Sequence, residues 1–167
     1  MGSAVLYGLP PIVGDDAHTL ILGNMPSVIS LAAQRYYDNP RNAFWRIMGD
    51  VFGFAPDAPY EQRCAALTAH GIAAWDVLRS CQREGSLDSA VRPESMVPND
   101  FQRFFDEHRG IEAVLFNGAA AEKNFTRLVR VASDLRYRRL PSTSPAQTMP
   151  FADKLTIWRQ ALSEAAT

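Results

Sequence analysis

The sequence predicts an α/β protein: a three-layer α/β/α sandwich around a central, mostly parallel four-stranded sheet. Three observations carry this. Short apolar runs alternate with stretches whose apolar residues recur at helical spacing, the pattern of strands joined by crossover helices. The 167 residues are 47% hydrophobic and 21% charged, enough for a substantial core and one domain spanning 1–167. No internal repeat or low-complexity stretch interrupts the alternation.

The elements follow in order. Residues 1–18 are rich in Gly and Pro and are expected to lie over the surface. Thr19–Leu22 reads as a short buried strand ending at Gly23, and Ser27–Tyr37 as a helix or helical turn broken by Asn39-Pro40. Asn42 is placed as an N-cap before Phe44, Ile47, Met48, Val51 and Phe52, which share one helix face. Pro59 opens a helix that Gly71 closes, and Ile72–Leu78 reads as the second strand. Residues 79–98 read as a long loop. Asp100 or Asn99 caps a helix containing Phe101, Phe104 and Phe105 and stopped by Gly110. Glu112–Phe116 is a third strand, Ala119–Ser133 a helix, Arg136–Leu140 a fourth strand and Ala152–Ala165 the last helix.

Composition excludes several functional classes. No apolar run reaches the length of a membrane span, and no basic region followed by a long apolar stretch marks a signal peptide, so a cytoplasmic protein without a membrane partner is expected. Two cysteines are too few for a disulfide framework or a four-cysteine metal site. The three histidines share no metal-ligand spacing, so neither a metal nor another cofactor is expected. A net charge of -1 leaves any basic footprint local. Such a footprint exists: six basic residues and one acid lie between Lys123 and Arg139, and fifteen of the seventeen basic residues are arginine. Arginine forks suit phosphate oxygens, although a solvated helix face and edge strand would look the same.

In parallel α/β sheets a ligand lies outside the carboxyl ends of the strands. The segments that leave the four strands are Gly23-Asn24-Met25-Pro26-Ser27, the stretch from Asp76, Asn117-Gly118 and Pro141-Ser142-Thr143-Ser144-Pro145. All are polar or rich in Gly, Pro and Ser, and they are expected to converge on one crevice.

Three pieces carry a resemblance: GNMPS with SLAAQRYYDNPRNAFWRIM, WDVLRSCQREGSLDSAV, and LPSTSPA. Together they cover most of residues 20–147, and the NPRNAFWRIM block is specific. The chain resembles the uracil-DNA glycosylase superfamily, in particular its hypoxanthine (deoxyinosine) branch and, next, the mismatch-specific uracil/thymine branch. The resemblance implies a monomer that hydrolyses the N-glycosidic bond of a deaminated base in DNA. Two departures stand out. Met25 replaces the Asn that positions the attacking water in the mismatch-specific branch, and Leu140 replaces the His that opens the second motif of the uracil-specific enzymes. What looks like the deoxyinosine branch shares both changes and relies on the Asn of the PRNxFW block, which falls on Asn42.

The remaining roles follow from the same likeness. Phe44 matches the aromatic that stacks on the extruded base, while Gly23, Asn24, Met25 and Pro26 line the base pocket. Asp76 stands where related enzymes keep a base-recognising polar residue; it could also stabilise charge on the sugar as the bond breaks. Asn117 is a second base-edge contact. Ser27, Ser142, Thr143 and Ser144 are expected to touch phosphates, with Arg138 and Arg139 running into the same loop. The usual bulky wedge of the second motif is replaced by a small residue near Ser144. Asn42 also fits a plain cap, Phe44 plain core, and Asp76 and Asn117 satisfied loop polar groups. The two lysines, Lys123 and Lys154, lie outside the motifs, which argues against a Schiff-base lyase. Two rival functions remain: a superfamily member that binds damaged or abasic DNA without catalysis, and a serine hydrolase using Ser142 or Ser144, for which no G-x-S-x-G elbow is present.

Overall fold

A computed structural model describes residues 4–132 and 134–167. The strands β2 (Thr19–Gly23), β3 (Ile72–Asp76), β6 (Ala113–Asn117) and β7 (Arg136–Leu140) form a parallel sheet in the order β3-β2-β6-β7. Every residue of β2 is buried, as a central strand requires when helices cover both faces. Side chains alternate across the sheet. Leu20, Leu22, Val114 and Phe116 pack with Phe101, Phe104 and Phe105 of α4 (Phe101–Glu107) and Phe125 of α5 (Ala119–Leu128). Ile21, Ile72, Leu115 and Leu140 face the other way. They pack with Ile47 and Met48 of α2 (Phe44–Phe52), Leu67 of α3 (Tyr60–Ala69), and Trp158 and Leu162 of α6 (Phe151–Ala165). These are the three expected layers.

The structure departs from the sequence reading in several places. The second strand does not run to Leu78. It ends at Asp76, and Val77 and Leu78 donate backbone N–H groups to the carbonyls of Gly23 and Asn24. The chain then enters β4 (Leu78–Gln82), in a segment expected to be loop. β4 pairs antiparallel with β1 (Val5–Tyr7) and with β5 (Val97–Pro98), so the N-terminal segment contributes a strand rather than merely lying over the surface. Leu9 is buried, and Ile12 bridges to Ala74. Residues 1–3 of that segment lie outside the described residues. Pairing between strands about seventy positions apart leaves no mark on a local pattern.

The helix expected over Ala119–Ser133 ends at Leu128, because Val129 takes extended dihedrals; Ser133 lies outside the described residues. The helix expected over Ser27–Tyr37 is α1 (Val28–Ala33). Ser27 caps it by accepting the Ser30 N–H, and Gln34 ends it in the left-handed region. Asn42 sits one residue before the actual cap of α2, Ala43, yet its Oδ1 still accepts the Phe44 N–H at 2.9 Å. Of the alternatives Asn99 and Asp100, Asp100 caps α4, while Asn99 donates its side-chain amide to the Asp76 carbonyl.

Candidate active site at the strand ends

The ends of the four parallel strands open on a cleft of about 350 Å³, within the size range of small-molecule sites. Gly23, Asn24, Met25, Pro26 and Ser27 form one side. Asp76 and Asn117 lie at the strand ends, and Ser142, Thr143 and Ser144 form the opposite lip. Asn42 lines the cleft from the loop before α2, together with Tyr36 and Tyr37. Residues 86–89, between β4 and β5, supply the remaining wall.

Asp76 is the most unusual group in this cleft. The residue is 4% exposed, and its Oδ2 is buried with no hydrogen-bond partner among the described residues. Burial, followed by the charge of Asp88 and offset in part by Arg83, pushes the carboxyl from its ordinary 3.8 up to about 7. A neutral carboxylic acid is therefore well populated near neutrality. Its place depends on Gly23: a Cβ there would overlap Asp76 Oδ1 and come within 3.0 Å of Tyr37 Oη. Glycine is needed at position 23 for this close approach, with an unremarkable backbone conformation.

The aromatic wall is not the one expected. Phe44 is fully buried and does not line the cleft. The ring at the cleft is Tyr37, stacked on Phe44 with centroids 4.0 Å apart and planes 27° from parallel. Phe44, expected to stack on a base, lies in the core beside Trp45, where helical spacing turns it, and Tyr37 covers it. Tyr37 adopts a left-handed backbone (φ 55°), uncommon for an aromatic residue and a mark of a tightly held loop. Asn117 Nδ2 donates to its hydroxyl at 3.1 Å. Burial, then the charge of Asp76, holds the phenol above its usual range, so it stays neutral. The signal for Tyr37 was present in the YYDNPRN block, but nothing local distinguished it from Tyr36, whose hydroxyl is tied to the Leu9 carbonyl.

Asn42 both holds a turn and lines the cleft. Its Oδ1 holds the first turn of α2, while its Nδ2 has no partner among the described residues and the residue faces the cleft. A carbonyl oxygen has two lone pairs, so holding Phe44 leaves one for a water molecule.

Asn117 is less free than expected. Nδ2 donates to Thr143 Oγ1 at 3.0 Å as well as to Tyr37, and Oδ1 accepts the Thr143 N–H at 2.9 Å. Both amide hydrogens are engaged, which makes Asn117 a strut joining β6 to the Ser142–Ser144 lip and leaves one lone pair of Oδ1 for the expected base-edge contact. The Thr143 carbonyl accepts the Ala43 N–H, joining the lip to α2. Lys154 completes the support from α6: buried, it donates Nζ to the carbonyls of Ser144 and Gln147, and desolvation lowers its pKa. Nothing in its local sequence marks that role.

Asn24 is similarly structural. Its Nδ2 donates to Asp88 Oδ1 at 3.1 Å, and its Oδ1 accepts from Asn124 Nδ2 at 2.8 Å. The hydroxyls of Ser142 and Ser144 accept the N–H groups of Ser144 and Ala146, and no histidine lines the cleft, so the arrangement of a serine hydrolase is not present there. Arg138 and Arg139 do not line the cleft either. Arg138 pairs with Glu164 near the end of α6, and Arg139 lies 3.7 Å from Glu122 on the first turns of α5. β7 is an edge strand, so its arginines spread over flanking helices instead of running into the lip. Among the described residues, no group of three or more His, Cys, Asp or Glu is placed to hold a metal ion, and no helix is long and apolar enough to cross a membrane.

The chain was compared with known proteins. Residues 10–165 match the family model of the uracil DNA glycosylase superfamily. A hypoxanthine DNA glycosylase of Methanosarcina barkeri is 35% identical over 112 residues, 66% of this chain and 70% of that protein. Its counterpart in Methanosarcina acetivorans is 36% identical over 115 residues, 68% of this chain and 72% of that protein. A solution NMR structure of a candidate uracil DNA glycosylase from Methanosarcina acetivorans superposes with a TM-score of 0.82 at 30% identity, covering 98% of this chain and all of the other. With its parallel sheet, its cleft at the strand ends and these relatives, the chain belongs to the uracil DNA glycosylase superfamily.

Proposed function

We propose that the protein is a monofunctional DNA glycosylase that releases a deaminated base, hypoxanthine first and uracil second. The observation that carries this reading is the unpartnered, buried Asp76 carboxyl at the floor of a cleft walled by Tyr37 and Asn42. Deamination turns an exocyclic amine into a carbonyl and places a hydrogen on the neighbouring ring nitrogen. A neutral carboxylic acid matches that edge at two points, accepting the ring N–H and donating to the carbonyl. The edge is common to hypoxanthine and uracil, so one acid serves both. Tyr37 offers a flat face for the base, with Phe44 behind it.

A nucleotide extruded from the duplex would enter this cleft with its base against Tyr37. Water held by Asn42 attacks C1′ of the sugar. The new C1′–O bond forms as the glycosidic C–N bond breaks, and its electron pair leaves on the base. Asp76, protonated, donates to the base carbonyl and so stabilises the negative charge growing there. One water proton is lost and one is gained by the base, which leaves free base and an abasic site. The neutral form of Asp76 favours this role over electrostatic support of a cationic sugar. No lysine reaches the cleft among the described residues, in keeping with hydrolysis and without strand cleavage.

The test is a panel of duplexes carrying one hypoxanthine, uracil or xanthine each, scored for alkali-labile abasic product. Release of hypoxanthine, uracil or both supports the reading. Tight binding to inosine or abasic duplex with no release from any substrate would refute it in favour of a non-catalytic binder.

A further inference from the structure

We propose that Leu87 is the wedge that enters the base stack and holds the target nucleotide outside the duplex. This rests on the glycosylase reading above and names a residue that reading does not use. An enzyme that extrudes a nucleotide must fill or prop the gap it leaves, and inserted apolar side chains do this. The Ser142–Ser144 lip, with Pro145 and Ala146 behind it, carries no bulky apolar side chain. The opposite wall does. Leu87 lines the cleft yet is 57% exposed, and Val28 and Ile29, 50% and 46% exposed, lie in the chain between Ser27 and Ser30, which line it too. Isolated exposed apolar residues are ordinary on protein surfaces. These three are not isolated, because Ser86 Oγ accepts the Val28 N–H and so joins the two segments at the rim.

The loop presenting Leu87 is anchored on both sides, which distinguishes a wedge from a loose surface side chain. Before it, buried Arg83 donates Nη2 to the Pro26 carbonyl at 2.7 Å and Nε to the Gly85 carbonyl at 2.6 Å. After it, Asp88 accepts from Asn24, and the Ala90 N–H closes a tight turn onto the Leu87 carbonyl. Pro26 and Asn24 belong to the segment leaving the central strand, so Leu87 is registered to the cleft floor itself. Insertion into a base stack would bury it.

The experiment compares the unaltered protein with Leu87→Ala and Leu87→Met on hypoxanthine in three settings: paired in duplex, in single-stranded oligonucleotide, and in duplex opposite a bulky pyrene nucleotide that itself displaces the lesion. Single-turnover release is measured, with thermal unfolding checking the fold. The ratio of duplex to single-strand release should fall by about tenfold or more in Leu87→Ala, since extrusion is the step affected. Leu87→Met and the pyrene opposite the lesion should each restore it. An unchanged ratio in Leu87→Ala, or a duplex loss that pyrene does not recover, overturns the wedge. No release by the unaltered protein from any of the three substrates overturns the glycosylase reading, and the wedge with it.

Discussion

Replacing Asp76 with Asn should stabilise the protein, and only above the acid range. The residue is 4% exposed and its Oδ2 has no partner among the described residues, so ionising it in the folded state is unfavourable. Its carboxyl titrates at about 7 folded and at its ordinary 3.8 once exposed. Between those values the unfolded chain has released the proton while the folded chain keeps it. Native protein then binds more protons, and stability falls as pH rises through this window. The full rise, from 3.8 to about 7, corresponds to roughly 4 kcal/mol at about 1.4 kcal/mol per tenfold change in proton affinity. This is a large fraction of the roughly 5–15 kcal/mol that holds a typical domain together. Asn has nearly the same shape and no proton to lose. In urea unfolding at pH 8, Asp76→Asn should gain up to about 4 kcal/mol. At pH 4 the gain should be near zero. An equal gain at both pH values, or a loss at pH 8, would refute a buried and unpartnered acid. Activity has its own signature. If neutral Asp76 donates to the base, release by the unaltered protein declines above about pH 7, and Asp76→Asn removes that decline.

Three further perturbations probe the cleft. Asn42→Ala should lower base release by about 100-fold or more and cost about 1 kcal/mol of stability, since the amide both faces the cleft and holds the Phe44 N–H. Asn42→Asp should recover the stability in thermal unfolding, and full activity in the Ala variant would rule out the assigned role. Tyr37→Ala should lower release by about tenfold, while Tyr37→Phe, which keeps the ring, stays within a few-fold; Phe44→Ala should instead lose about 3–5 kcal/mol of folding free energy as a core deletion. Gly23→Ala should abolish release, because its methyl group would displace Asp76 and Tyr37, and retained activity would show that neither group needs its observed position.

Much of the site was legible because it lies on short, punctuated segments. Gly23–Ser27 follows a buried strand, Asp76 and Asn117 end two others, and Ser142–Ser144 follows the fourth; a parallel sheet puts such ends at one edge, and all of them line the cleft. At Phe44 and Asn117 the local pattern leaves two placements open. An aromatic residue in a motif can face the cleft or the core, and whether Tyr37 lies above Phe44 depends on a left-handed turn that brings the loop back over α2. An Asn at a strand end can meet a ligand or a neighbouring loop, and Thr143, 26 positions away, takes its amide.

Local chemistry was enough to determine the layers. Apolar runs and helical spacing depend on residues a few positions apart, so the strand–helix alternation, the parallel sheet and the edge that carries the site are written in the chain itself. The tertiary structure alone decided which face of each motif lines the cleft. It left Asp76 Oδ2 without a partner among the described residues, tied Asn117 to Thr143, set Tyr37 over Phe44, sent Arg138 to Glu164 and made residues 5–7 a strand through β4. The physical reason is the same in each case: burial and hydrogen bonding are settled by groups distant in sequence, and a side chain's reactivity depends on what those groups leave unsatisfied.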